Sequence, residues 1–183
     1  MNKNRRSTIL FISALTFTCC HGQNSNDDRN VYPATGNPDS TEAQIVLIRK
    51  EYNMIHANEP KFKVVTEDMD DRSTEGGEIK KYYQGKSLRK ARLIFYGETG
   101  KTVFEYYFVD GMVIFFLKKI YDYNIPMYMK GSRVSKIEEE RFYFNNRKLI
   151  RWISSDGKII AANLYSGKED EILKDLNETV YKK

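Results

Sequence analysis

Ile45, Ile48, Tyr52 and Ile55 recur at intervals of three and four residues. This spacing gathers them on one face of a helix and predicts one over about 40–57. Asp39, with Glu42 three residues on, reads as a capping box at its start. Asn58 and Pro60 mark its end. "KFKVV" (61–65) is a short strand candidate, and "TEDMDDRSTEGGE" behind it is an acidic loop without apolar periodicity.

From Ile79 the period changes from helical to alternating. Aromatic and β-branched runs are separated by Gln84-Gly85, Gly97-Glu98-Thr99-Gly100, Asp110-Gly111, Asn145-Asn146 and Asp156-Gly157. Such residues accept the positive φ angles of hairpin turns. The pattern predicts strands near 79–83, 87–96, 102–109, 112–121, 137–144 and 148–154, with a stub near 158–162. Ile172, Leu173, Leu176 and Val180 then return to helical spacing. They predict a helix over about 168–181, with Ser166 and Glu169 as a second capping box. An antiparallel meander of about six strands, flanked by an N-terminal and a C-terminal helix, is an α+β domain.

Alternation also sorts the faces. Phe104, Tyr106 and Phe108 form one face, expected to be core under the helices. If Asp110-Gly111 is a two-residue loop, Val113, Phe115 and Leu117 join them. Glu105, Tyr107, Ile114, Phe116 and Lys118 then share the second face, with cover expected from the 122–136 connection or from sheet curvature. That connection, "DYNIPMYMKGSRVSK", is expected to be an Ω-loop that tucks in its own rings. "YYQGKSL", "YYFVDGMVI" and "FYFNNRKLI" each place an aromatic pair before a turn and aliphatics after it. Their spacing is too irregular for a propeller or solenoid. In the last of them, a two-residue loop at Asn145-Asn146 puts Glu140 opposite Arg151, and Phe142 or Phe144 and Trp152 in the core.

The first residues change how the charge is read. Lys3, Arg5 and Arg6 precede a short apolar run, Ile9 to Phe17. This is the pattern of a secretory signal peptide over 1–22, and it is too short to span a bilayer as a helix. Cleavage before Gln23 and lipidation at Cys19 or Cys20 both stay open, although neither cysteine has a good lipobox. Residues 23–38 are polar and read as a flexible tether to a single domain over 39–183. The chain carries 30 Lys+Arg against 25 Asp+Glu; residues 1–22 hold three of the cations and no acids, which leaves 27 against 25, a net +2. With those charges well mixed, nothing marks a nucleic-acid footprint. Both cysteines lie in the leader, so disulfide, thiol nucleophile and Cys-based metal chemistry are not expected of the domain.

Catalytic motifs fail on their mechanics. "GETGKT" (97–102) lacks the first glycine of a phosphate-binding loop, Phe95 standing in its place, and runs into a strand. Ser87-Leu88-Arg89-Lys90 and Ser155-Asp156-Gly157-Lys158 have no companion motifs of a serine acylase. His56 is the single histidine beyond the leader. Asp68, Asp70 and Asp71 lack the glycine and closing glutamate of a calcium loop. No cofactor or metal is implied, and the chain reads as a non-enzyme. Glu75, Glu78, Glu98 and Glu105 keep open a hydrolase acting on glycans or peptides, since a carboxylate pair is defined by spatial separation.

"STEGGE" (73–78), "YYQGKSLRKARLIFYGETGKTVFEYYF" (82–108) and "RFYFNNRKLIRW" (141–152), in that order, resemble a set of small exported bacterial proteins, many of them lipoproteins. The resemblance covers about 75–155. It implies an envelope or secreted location and a β-rich domain, and it carries over no catalytic residues. At the level of fold alone, a meander with aromatic-Gly-Lys turns is similar to small periplasmic binding and inhibitory modules. The expectation is therefore an exported binding module, periplasmic, anchored to the outer membrane or secreted, for an envelope protein or polysaccharide. Its membrane contact would be limited to an N-terminal lipid. Glu105, Tyr107, Arg141, Tyr143, Arg151 and Trp152 are the candidate binding residues, because Tyr, Trp and Arg dominate binding hot spots. A structural lipoprotein without a specific ligand is the other alternative.

Overall fold

The computed structural model describes residues 40–69 and 75–182. The expected leader, tether and capping Asp39 lie outside them, as do Cys19, Cys20, Asp70 and Asp71. Helix α1 spans Thr41–Asn58. Its N-cap is Ser40, whose hydroxyl oxygen accepts the Ala43 amide at 3.2 Å. Ile45, Ile48 and Ile55 are its buried residues. A 3-10 turn, Glu59–Lys61, leads into the sheet.

The sheet has seven antiparallel strands in sequence order, one more than expected. They are β1 (Lys63–Asp68), β2 (Gly77–Gln84), β3 (Ser87–Gly97), β4 (Gly100–Val109), β5 (Met112–Tyr123), β6 (Val134–Asn145) and β7 (Lys148–Ile153). The added strand is the short candidate at 61–65, which pairs at the edge with β2. The expected stub near 158–162 amounts to one bridge, Ile153 to Ile159. Helix α2 (Tyr165–Thr179) follows a 3-10 turn at Ala162–Leu164. The expected capping box does not form, since the N-cap is Leu164 and no side chain caps it. Glu169 instead accepts the Leu149 amide at 2.6 Å and Lys148 Nζ at 2.9 Å.

Each helix covers its own face of the sheet. Ile172, Leu176 and Val180 pack with Tyr106, Phe108, Phe116, Phe142 and Phe144. Ile45, Ile48 and Ile55 pack with Tyr107, Phe115, Leu117 and Tyr143. The second face is thus covered by α1, and the expectation of cover by the 122–136 connection is corrected.

The expected sorting of β5 is corrected as well. Phe108 pairs with Val113, but Tyr107 pairs with Phe115, so Ile114 is an extra residue. A bulge of one residue exchanges the faces of everything beyond it. Phe116 therefore joins Tyr106, while Phe115 and Leu117 join Tyr107. The same irregularity recurs beside the β2–β3 and β6–β7 turns, at Arg89 and Ile150. In the last hairpin Asn145 pairs with Lys148, so the turn residues are Asn146 and Arg147, at φ 49° and 63°. Register then sets Arg151 opposite Tyr143 rather than Glu140.

The β5–β6 connection does not bury its own rings. Tyr128 is 74% exposed, and Met127 and Met129 are exposed too. It is pinned at its base. The Tyr123 amide donates to Thr99 O and the Met127 amide to Glu98 O, both at 2.8 Å, and Tyr128 Oη donates to Glu98 Oε1 at 2.7 Å. The Gly-Glu-Thr-Gly turn is its anchor.

Candidate functional site

Seven paired residues cross the whole sheet on the α1 face: Val64, Tyr82, Lys90, Tyr107, Phe115, Tyr143 and Arg151. The three bulges align this row, because each lies two pairs beyond a turn and restores the same parity. Lys90, beside Tyr107 in the row, is 3% exposed. Its ammonium lies 2.9 Å from Glu59 and 3.1 Å from Glu105, and 5.4 Å from the ring centroids of both Tyr82 and Tyr107. A buried cation needs such partners to offset lost hydration. Tyr107 Oη donates to Glu105 Oε2 at 3.2 Å. Burial first, and then the Glu105 carboxylate, push this phenol far above its ordinary range.

The neighbouring rows on this face hold Lys80, Arg92, Glu105, Leu117 and Arg141, then Glu78, Ile94, Val103, Lys119 and Glu139. Ile94 and Val103 are buried but belong to neither helix's cluster. They lie among the Glu78–Lys80 pair (2.9 Å), the Arg92–Glu105 pair (3.4 Å) and the Lys119–Glu139 pair (3.1 Å). Long charged side chains shield apolar groups with their stems while their heads remain in water. Among the described residues, ion pairs and no helix close this half of the face.

A cleft of about 380 Å³ opens where the two halves meet. Phe115, Leu117 and Tyr143 form its apolar floor. Arg49, Tyr52 and Asn53 line it from α1. Lys119, Glu139 and Arg141 line it from β5 and β6. Glu139 serves both cations there: Lys119 Nζ lies at 3.1 Å and Arg141 Nε donates at 2.7 Å. Burial alone would raise the Glu139 carboxyl, but the hydrogen bonds from Lys119 and Arg141 outweigh it and hold the group below its ordinary value. The Arg49 guanidinium sits 5.8 Å from the Tyr143 ring centroid. Among the described residues no carboxylate pairs with Arg49. Three cations and one carboxylate line the cleft, with Glu42 and Glu105 acting on Arg49 and Lys119 from outside it.

Of the residues expected to form the site, Glu105, Tyr107, Arg141, Tyr143 and Arg151 do share the α1 face. Only Arg141 and Tyr143 reach the cleft. Glu105 and Tyr107 are committed to the Lys90 cage, and Arg151 is bound to Glu42 in the first turn of α1. Trp152 lies on the opposite face, stacked on Phe142 at 5.4 Å, with Nε1 donating to Glu140 at 3.1 Å. Strand alternation separates it from Arg151. Arg49, Tyr52, Asn53, Lys119 and Glu139 were not expected. The repeated aromatic pairs before the turns are a signal for Lys119 alone, whose face follows from the β4–β5 register; no sequence signal places the α1 residues.

Glu78, Glu98 and Glu105 are each engaged, by Lys80, by Tyr128, and by Lys90 with Arg92. None of them, nor Glu75, lines the cleft. Among the described residues, no helix is long and apolar enough to cross a membrane, and no group of three or more His, Cys, Asp or Glu converges. No protein-family model, curated protein or solved structure matches the chain.

Proposed function

We propose that this is an exported, non-enzymatic binding module that engages an envelope protein or polymer through the cleft between α1 and β5–β6. One observation carries the reading. The cleft combines an apolar floor with cations in excess, and both walls are regular elements. Sites on such elements are held in place before binding, so less order has to be imposed on association. The basic and apolar N-terminal pattern and the resemblance to small exported proteins support the location. The hydrolase reading gains nothing from the geometry of Glu75, Glu78, Glu98 and Glu105.

Capture of envelope components by the wild type and by a Lys119→Glu/Arg141→Glu variant tests this reading. Captured material should be lost from a variant that still melts cooperatively. Identical capture by both proteins sinks the site.

A further inference from the structure

The donors and acceptors of the cleft are badly out of balance. Arg49, Lys119 and Arg141 bring only donors, since neither guanidinium nor ammonium can accept. The one carboxylate, Glu139, is already engaged by two of them. Asn53 adds a single amide, and Tyr52 and Tyr143 add hydroxyls that can donate or accept. A neutral sugar presents hydroxyls that must donate as well as accept, and it would find few acceptors free. A carboxylate or other oxyanion is an acceptor only, and matches what the cleft has to offer. The floor adds a second requirement. Phe115, Leu117 and Tyr143 are 6%, 3% and 5% exposed, so the floor offers a ligand a narrow strip, which is mainly apolar. At about 380 Å³ the cleft is near the lower end of small-ligand sites, about 300–1,000 Å³. It admits one residue-sized group.

We propose that the cleft binds an anionic group carried on a compact apolar body, with the anion seated between Arg49 on α1 and the Lys119–Arg141 pair on the sheet and the hydrocarbon against Leu117 and Tyr143. This rests on the reading of the cleft as the binding site and names the chemistry of its ligand. A hydrophobic amino acid in free form and the C-terminal residue of a peptide present the same chemistry. The anion gives Arg49 a direct partner in addition to the more distant Glu42, and it divides with Glu139 the two cations that now share one carboxylate. The site should accordingly weaken with salt, because its charges lie at the surface.

The test is a titration of the isotope-labelled protein with N-acetyl-leucine, N-acetyl-leucinamide, sodium acetate and a short peptide ending in leucine, followed by amide and guanidinium resonances. The N-acetyl-leucine carboxylate should shift Leu117, Lys119, Arg141 and the Arg49 side chain and leave Lys174 on α2 unmoved. The amide and acetate should bind at least about tenfold more weakly. Arg49→Gln should weaken binding by a similar factor, with an unchanged melting temperature. A tighter peptide identifies a chain end as the source, and a tighter free acid a small molecule; either supports the proposal. Equal binding of the amide overturns the anionic class and leaves the cleft in place as a site. Shifts confined to other surfaces overturn the proposal. So does an absence of shifts, even if envelope capture still depends on Lys119 and Arg141; in that case the binding-module reading survives without it.

Discussion

Tyr107 on β4 stands directly opposite Phe115 on β5, although a bulge-free hairpin closed by Asp110-Gly111 would oppose it to Ile114. The extra residue puts Phe115 and Phe116 on opposite faces, the first against α1 and the second against α2. Each ring makes three or more ring contacts: Phe115 with Tyr52, Tyr107 and Tyr143, and Phe116 with Phe104, Tyr106 and Phe142.

Phe115→Ala and Phe116→Ala should therefore each cost about 3–5 kcal/mol, the usual range for emptying a buried aromatic site. Denaturant unfolding reads the magnitude. Hydrogen exchange reads the face, because protection should fall in α1 for the first variant and in α2 for the second. Near-neutral behaviour of either would return that residue to the solvent side.

Lys90 links the end of α1 to the sheet through Glu59 and Glu105. Lys90→Ala should destabilise by about 3–5 kcal/mol, because it takes the buried cation from Glu59 and leaves Glu105 with Arg92 as its one cation. Part of that loss should return when Glu59→Gln is added. A double-mutant cycle measures the coupling, and strict additivity would show that the two groups do not interact.

The turn dipeptides and the two apolar periods made the architecture legible in the sequence, down to six of the seven strands and both helices. The facing of β5 and β7 was not legible. A bulge is a backbone event with no residue type of its own, and one residue suffices to reverse a strand. The site was obscured for the same reason. Arg141 and Tyr143 precede the β6–β7 bulge and were placed correctly. Lys119 lies beyond the β4–β5 bulge, and Arg49 lies on a helix whose docking is set by contacts more than 60 residues away, such as Tyr52 on Phe115.

Glu169 gives the stability a pH dependence. Burial alone would raise its carboxyl, but the Leu149 amide and the Lys148 ammonium hold it below the ordinary 4.5. A lowered folded-state pKa contributes stability above the unfolded value, and that contribution is lost as pH falls through the folded value. Glu169→Gln should cost about 1–2 kcal/mol at pH 7. The gap between variant and wild type should narrow as pH falls below 4.5 and close once the folded carboxyl is protonated. Melting temperatures taken across pH 3–7 check this, and a constant gap would contradict it.

Gly100 touches the neighbouring strand with its backbone, and a Cβ there would run into the Tyr121 carbonyl oxygen. Gly100→Ala should cost about 1–3 kcal/mol as an overpacked contact. Because the same turn anchors Tyr123, Met127 and Tyr128, amide exchange in 123–128 should quicken. Unchanged exchange there would uncouple the turn from the loop.

A ligand bound in the cleft between α1 and β5–β6 would lie within reach of Asn53. A photo-crosslinking residue at Asn53, with a second at Lys174 on the outer side of α2 as control, tests for it in envelope extract. Position 53 should give a discrete adduct that N-acetyl-leucine competes away, and position 174 should give none. Adducts from 174 alone, or from both positions without competition, would contradict it.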